Sequence, residues 1–205
     1  MKKILLTVFA LALSVFVFSQ KLEIVPFTGY MFGGKISYIE GELKIDDGQD
    51  FGISILKPIK PGVDLELGYS FMESKMHFSP YYGYNYHSAE TNLSTSYFQI
   101  GVLKKIKPDT EKVIPFGSFS LGATWFATPD FGDEIRFSAT LGAGLKIMFS
   151  ERIGIIGRGR LMMPMQFAGV GFTVGTGGSG LSAGSYITPL QGDFTVGLII
   201  RLGKE

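Results

Sequence analysis

Apolar and polar positions along this chain repeat every two residues. In IRFSATLGAGLKIMF, residues 135 to 149, Ile135, Phe137, Ala139, Leu141, Ala143, Leu145, Ile147 and Phe149 fall on one face, and Arg136, Ser138, Thr140, Gly142, Gly144, Lys146 and Met148 on the other. That period sends successive side chains to opposite faces of a β-strand. Eight segments carry this character, roughly 22–34, 50–57, 63–77, 93–106, 113–126, 135–149, 153–163 and 192–202, each bounded by clusters of Gly, Pro, Asp or Asn. Most exceed the five or six residues usual in soluble sheets.

The connections alternate in length. PIKPG (58–62), KPDTEK (107–112) and SER (150–152) are short and charged, whereas 35–49, 78–92, 127–134 and 164–191 are longer. In an up-and-down barrel all short turns then share one end and all long loops the other, the anatomy of an outer-membrane barrel with periplasmic turns and extracellular loops. The identities on the polar faces agree. Ser118, Ser120, Gly122 and Thr124 oppose Phe119, Leu121, Ala123 and Trp125, and Thr195 and Gly197 oppose Phe194, Val196 and Leu198. A water-facing surface would carry long charged chains, while small residues suit a crowded lumen. The apolar faces are bulky, as lipid requires, and about 9 to 11 tilted residues suffice to cross a bilayer. The expected fold is therefore all-β: an eight-stranded antiparallel up-and-down transmembrane β-barrel. A soluble secreted barrel is the rival at the level of fold.

The first residues change the compartment. Lys2 and Lys3 precede an uncharged, mostly apolar run from Ile4 to Phe18, with Val17 and Ser19 at the small-residue positions before Gln20. This reads as a secretory signal peptide over residues 1–19, too short for a bilayer-spanning helix, with the barrel domain over 20–205. Sec-type export follows. The 28 Gly, 18 Phe and 9 Tyr favour strands and turns over helices, and the absence of cysteine removes disulfides, thiol catalysis and thiolate metal sites. Without the leader the chain carries 17 basic and 18 acidic residues. No basic field exists to hold nucleic acid.

Inward parity selects six charged residues: Asp64 and Glu66 on the third segment, Lys146 on the sixth, Arg158 and Arg160 on the seventh, and Arg201 on the eighth. Isolated charges inside a narrow barrel are costly, so they are expected to form a cross-lumen salt-bridge network that plugs it, in preference to a small pore or proton path.

The ending TVGLIIRL, together with the strand and loop pattern, resembles the small eight-stranded outer-membrane β-barrel family that includes the OmpX, OmpW and OmpA-barrel types. It is similar to that family's C-terminal insertion signal, with Thr195, Gly197, Ile200 and Leu202 at the defined positions. It departs from the signal where Ile200 and Leu202 replace the favoured aromatics and where GKE follows. The resemblance implies insertion into the Gram-negative outer membrane by the barrel assembly machinery, contact with outer-membrane lipid and lipopolysaccharide, and no cofactor. It also implies a monomer with a structural or interaction role in the envelope and no covalent chemistry. The alternatives are a small-solute or hydrophobic-compound conduit of OmpW type and a lipid A modifying enzyme.

Four further motifs have simpler explanations than the chemistry they invite. His77 or His87 beside Ser79 or Ser88 could serve as base and nucleophile, but outward parity and a Tyr-rich setting favour surface histidines. Tyr81, Tyr82, Tyr84 and Tyr86 suit loop packing and headgroup contact. DDGQD (46–50) lacks the spaced acids of a calcium loop and reads as a hairpin tip or a weak cation bridge. GTGGSG (175–180) lacks the strand-to-helix setting of a dinucleotide loop and reads as a mobile external loop.

Overall fold

A computed structural model describes residues 22–37, 41–81, 88–106, 112–129, 132–175, 178–187 and 190–203, and of 89, 132, 166–175 and 178–187 the backbone alone. The strands are β1 Leu22–Phe32, β2 Lys35–Ser37, β3 Gly41–Ile45, β4 Gly48–Lys60, β5 Val63–Pro80, β6 Ala89–Lys105, β7 Val113–Thr128, β8 Gly132–Met148, β9 Ile153–Gly175, β10 Gly178–Ile187 and β11 Gln191–Leu202. Eight of them form a closed antiparallel ring, β1-β4-β5-β6-β7-β8-β9-β11, with β11 returning to β1. The seam pairs Leu22 with Leu202 and Phe32 with Gly192, so the first and last strands match along their whole length. Closure leaves the ring without an edge, the condition a sheet must meet in hydrocarbon.

The connections differ from the sequence expectation at the long-loop end. Strands β2 and β3 pair antiparallel, Lys35 opposite Lys44, and β3 pairs in turn with the outer half of β5, Gly41 opposite Pro80 and Ile45 opposite Met76. The strand expected over 50–57 runs over 13 residues as β4, because the β5 register continues to hold it as far as Lys60. Strand β9 extends for 23 residues and pairs with β10, so most of the Gly-rich stretch 164–191 is a hairpin protruding beyond the ring, with residues 176–177 and 188–189 outside the described set. Residues 1–19, expected from the sequence to be a signal peptide, also lie outside the described residues. At the opposite end the β4–β5 turn is closed by Gly62, whose φ of 76° is a conformation that side chains disfavour.

Burial follows the period-two reading and inverts the rule of soluble proteins. Phe194 is 68% exposed and Ile135 72%, whereas Glu66 is 6% exposed and Lys146 1%. The outer surface is a band of large apolar side chains, including Phe51, Ile53, Ile55, Leu67, Phe98, Ile100, Leu121 and Leu141. On β5 it spans Val63 to Phe71, nine positions, after which the same face turns polar at Glu73, Lys75 and His77. This matches the span needed to cross a bilayer.

The lumen is not lined by small polar residues throughout, as the sequence suggests. Two apolar layers fill it as well: Val25, Leu56, Leu103, Phe116, Ile156 and Ile199 toward the short turns, and Met31, Ile45, Met72, Leu93, Tyr97, Phe126 and Met162 toward the long loops. Gly, Ser and Thr make room for these bulkier neighbours, since an eight-stranded interior is just wide enough for side chains to fill.

An arginine on the apolar band should destabilise according to depth. Leu121→Arg, near the middle of β7, is expected to cost about 2–4 kcal/mol in reversible refolding into vesicles, and Ile135→Arg at the loop-side rim about 0–1 kcal/mol. Equal small effects at both positions would contradict a membrane-facing band.

Candidate functional site: the charged lumen

The inward charges separate into two groups with the turn-side apolar layer between them. At the turn-side rim, Lys146 on β8 donates from Nζ to Glu23 Oε2 at 2.8 Å and to Asp64 Oδ2 at 3.1 Å. Arg201 on β11 donates from Nη2 to Glu23 Oε1 at 2.8 Å, and Lys105 on β6 to Asp64 Oδ1 at 3.0 Å. Glu23 and Asp64 each therefore hold two cations, and the cluster ties five strands together across the lumen.

The second group lies at mid-height. Arg158 on β9 donates to Glu66 Oε1 at 2.5 Å, to Ser54 Oγ at 3.0 Å and to Thr195 Oγ1 at 3.3 Å. Two positions along, Arg160 donates from Nε to both Asp193 oxygens at 2.9 and 3.1 Å, again from Nη2 to the same carboxylate, and from Nη2 to Asp50 Oδ2 at 3.5 Å. Both guanidinium carbons lie near the Phe27 ring, 4.6 and 4.9 Å from its centroid. The ring faces complement cations that burial has stripped of water. Like charges two residues apart on one strand are thereby separated by partners: Glu66 takes one arginine, and Asp193 with Asp50 takes the other. Beside them Gln99 donates to Thr140, and above them the Tyr97 hydroxyl donates to Gln191. A cavity lined by Glu66, Gln99, Ser118, Ser120, Thr140 and the two arginines has about 10 Å³ open to the centre of a water molecule, room for about one water.

The six residues selected from the sequence thus all point inward, but in two clusters, with Lys146, Asp64 and Arg201 in one and Glu66, Arg158 and Arg160 in the other. The selection missed Glu23, Asp50, Asp193 and Lys105. Each has inward parity on its own strand, so alternation alone is sufficient to find them; Asp50 and Asp193 stand near the starts of the segments 50–57 and 192–202. Of the assembly-signal positions, Ile200 and Leu202 lie on the outer face. Gly197 faces Phe27, where an added Cβ would lie 2.9 Å from the Phe27 Cβ and the Pro26 carbonyl oxygen.

On the loop side, His77 Nε2 lies 2.7 Å from Asp46 Oδ2, and its Nδ1 3.6 Å from Glu90 Oε2. Lys44 pairs with Asp46 at 3.1 Å and Lys75 with Glu90 at 2.6 Å. The histidine faces carboxylates, and this ionic patch fastens β3 and β6 to the extension of β5 beyond the apolar band. Of DDGQD, Asp47 accepts the Gly33 N–H at 2.8 Å within the β3–β4 connection, and Asp50 enters the lumen. His87 and Tyr82, Tyr84 and Tyr86 lie outside the described residues.

A closed ring of eight antiparallel strands, apolar outside, ion-paired inside and joined by short turns at one end, is an outer-membrane β-barrel fold. The solved structure of Neisserial surface protein A has the same fold, with a TM-score of 0.58 and 11% identity over 87% of this chain and 96% of that one. The N-terminal barrel of Pseudomonas aeruginosa OprF aligns at a TM-score of 0.44 and 15% identity over 88% of this chain and 98% of that one. Ail, the attachment invasion locus protein of Yersinia pestis, aligns at 0.48 and 12% over 90% and 99%. No family model matches the chain, and no curated protein matches it in sequence.

Two outcomes test this arrangement. Arg158→Met strips Glu66 of its ion-pair partner among the described residues and is expected to cost about 3–5 kcal/mol in vesicle refolding. Lys146→Met should cost less, because Glu23 keeps Arg201 and Asp64 keeps Lys105. Adding Glu66→Leu to Arg158→Met should restore most of the loss, and a strictly additive double-mutant cycle would deny the coupling. On the loop side, the hydrogen bond from His77, helped by Lys44, holds the Asp46 carboxyl below the ordinary aspartate value. A depressed carboxyl stabilises the fold above its unfolded pKa, and that contribution disappears as pH falls through the lowered folded value. Exchange protection of the Ile45 amide, bonded to Gly34 O at 2.8 Å, is expected to persist from about pH 7 to 5 and to fall below about pH 4. Loss of protection already between pH 7 and 5 would assign the anchor to other groups.

Proposed function

We propose that this chain is an integral outer-membrane protein whose barrel serves the cell envelope as a structural or interaction element, with a lumen plugged by its own side chains. The observation that carries the reading is the axial stack inside the ring: rim ion pairs, an apolar layer, the Arg158 and Arg160 pairs, and a second apolar layer. A solute crossing it would have to separate buried ions and displace both layers, while the mid-lumen cavity leaves room for about one water. Each neighbouring pair in the ring is hydrogen-bonded, which favours a plug over a conduit opening sideways into lipid.

In this reading, residues 1–19 direct Sec-type export and are removed. The barrel assembly machinery then reads Gly197, Ile200 and Leu202 on the closing strand, and the monomer sits among outer-membrane lipid and lipopolysaccharide. The paired inward charges Asp64, Glu66, Lys146, Arg158, Arg160 and Arg201 act as the structural plug.

Membrane fractionation and gel mobility test it. The protein is expected in the outer-membrane fraction, as a band whose mobility changes on boiling, and without open-channel conductance in planar bilayers. An aqueous protein of unchanged mobility overturns the barrel; steady conductance of the porin kind overturns the plug.

A further inference from the structure

The near-neutral chain is electrically polarised along the barrel axis. Among the described residues, the turn-side stretches 22–23, 57–64, 104–106, 112, 146–153 and 201–203 hold 8 Lys and Arg against 3 Asp and Glu. The described loop-side stretches 33–37, 41–49, 73–81, 88–92, 127–129 and 132–136 hold 4 against 7. A net charge near zero therefore conceals a basic end and an acidic end.

At the basic end the cations divide by facing. Lys105, Lys146 and Arg201 turn inward to Glu23 and Asp64. Lys60 and Lys104 turn outward and are exposed, and neither has an ion-pair partner among the described residues. The register places them in one row on either side of Val63: Lys60 opposite Val63 on β5, and Val63 opposite Lys104 on β6. Neighbouring strands are about 4.8 Å apart, so the two lysines stand about 10 Å apart across that row, within reach of one phosphate-sized group. Exposed Ile59 and Ile106, at 50% and 58%, flank the pair, so an aliphatic surface adjoins two ammonium groups where the apolar band ends.

We propose that Lys60 and Lys104, seated on this aliphatic rim, form a docking surface for the anionic headgroups of phospholipids in the leaflet facing the short turns. The occupant follows from complementarity: acyl chains lie against the band, and the phosphate meets the lysine row at its edge, where an anionic surface attracts basic side chains within a Debye length. The proposal rests on the reading of the chain as a bilayer-spanning barrel.

The full folded protein, reconstituted in phosphatidylcholine vesicles with traces of spin-labelled phosphatidylglycerol or phosphatidylcholine, tests it through the motionally restricted lipid fraction. Phosphatidylglycerol is expected to associate at least about twofold more strongly, with the preference vanishing at about 1 M NaCl. It should also vanish in the Lys60→Gln/Lys104→Gln variant and persist in Lys35→Gln/Lys44→Gln at the loop side. Equal association of the two lipids with the wild type, or a preference that survives Lys60→Gln/Lys104→Gln, overturns the docking surface. Heat-modifiable mobility of the same samples reports the barrel itself, so a folded protein without selectivity refutes this inference alone, and a protein that never inserts refutes the barrel reading and the inference with it.

Discussion

Strand β1 meets strand β11 from Leu22 opposite Leu202 to Phe32 opposite Gly192, and every other property of the molecule depends on that seam. An open sheet in hydrocarbon would leave a row of amide and carbonyl groups without partners, each costing several kcal/mol. Closure removes the row and also fixes sidedness: once the ring is shut, odd and even positions are irrevocably inside or outside. Joining segments almost the whole chain apart carries a loop-closure cost, but that cost grows only logarithmically with length and is small beside an unsatisfied strand edge. The glycine at 197, against Phe27 and Pro26, lets the two strands and their inward side chains approach at that seam.

Closure in turn dictates how charge is handled. A lumen this narrow cannot keep bulk water around six or more ions, so each is held by an opposite charge from another strand, and the pairs hold the ring together from within. The two arginines of β9 show the constraint most clearly. Alternation forces both inward within a few ångströms of each other, and the fold responds with Glu66 from β5, Asp193 from β11, Asp50 from β4 and the face of Phe27 from β1. Such pairs need not outperform a wholly apolar filling in stability. They do bind strands that are not neighbours in the ring.

The two ends of the barrel solve different problems with the same alternation. Toward the loops, the outer face of β5 passes from Phe71 to Glu73, Lys75 and His77 without any change of secondary structure, and there Asp46 and Glu90 hold the β2–β3 pair to the extended sheet. Toward the turns the apolar band gives way to lysines. The polar boundary of the membrane is thus written in side chains along continuous strands, and the protein crosses it without a break in its hydrogen-bond ladder.

The period-two pattern, the alternation of short and long connections and the small polar residues opposite bulky apolar ones were sufficient to read a transmembrane barrel of eight strands, because strand parity and loop length are local properties of a sequence. The same parity marked Asp64, Glu66, Lys146, Arg158, Arg160 and Arg201 as inward. It could not pair them: which inward charge meets which depends on how far each strand is staggered against the next around the ring, and that stagger is a property of the closed sheet. For the same reason the β2–β3 and β9–β10 pairings and the role of Glu23 as the partner of Lys146 and Arg201 appeared only in three dimensions. The sequence by itself determined that this chain makes strands with one face for lipid and one for a lumen. Only the tertiary structure, by closing β1 on β11 and setting the register, decided that the lumen charges form two separate clusters with an apolar layer between them.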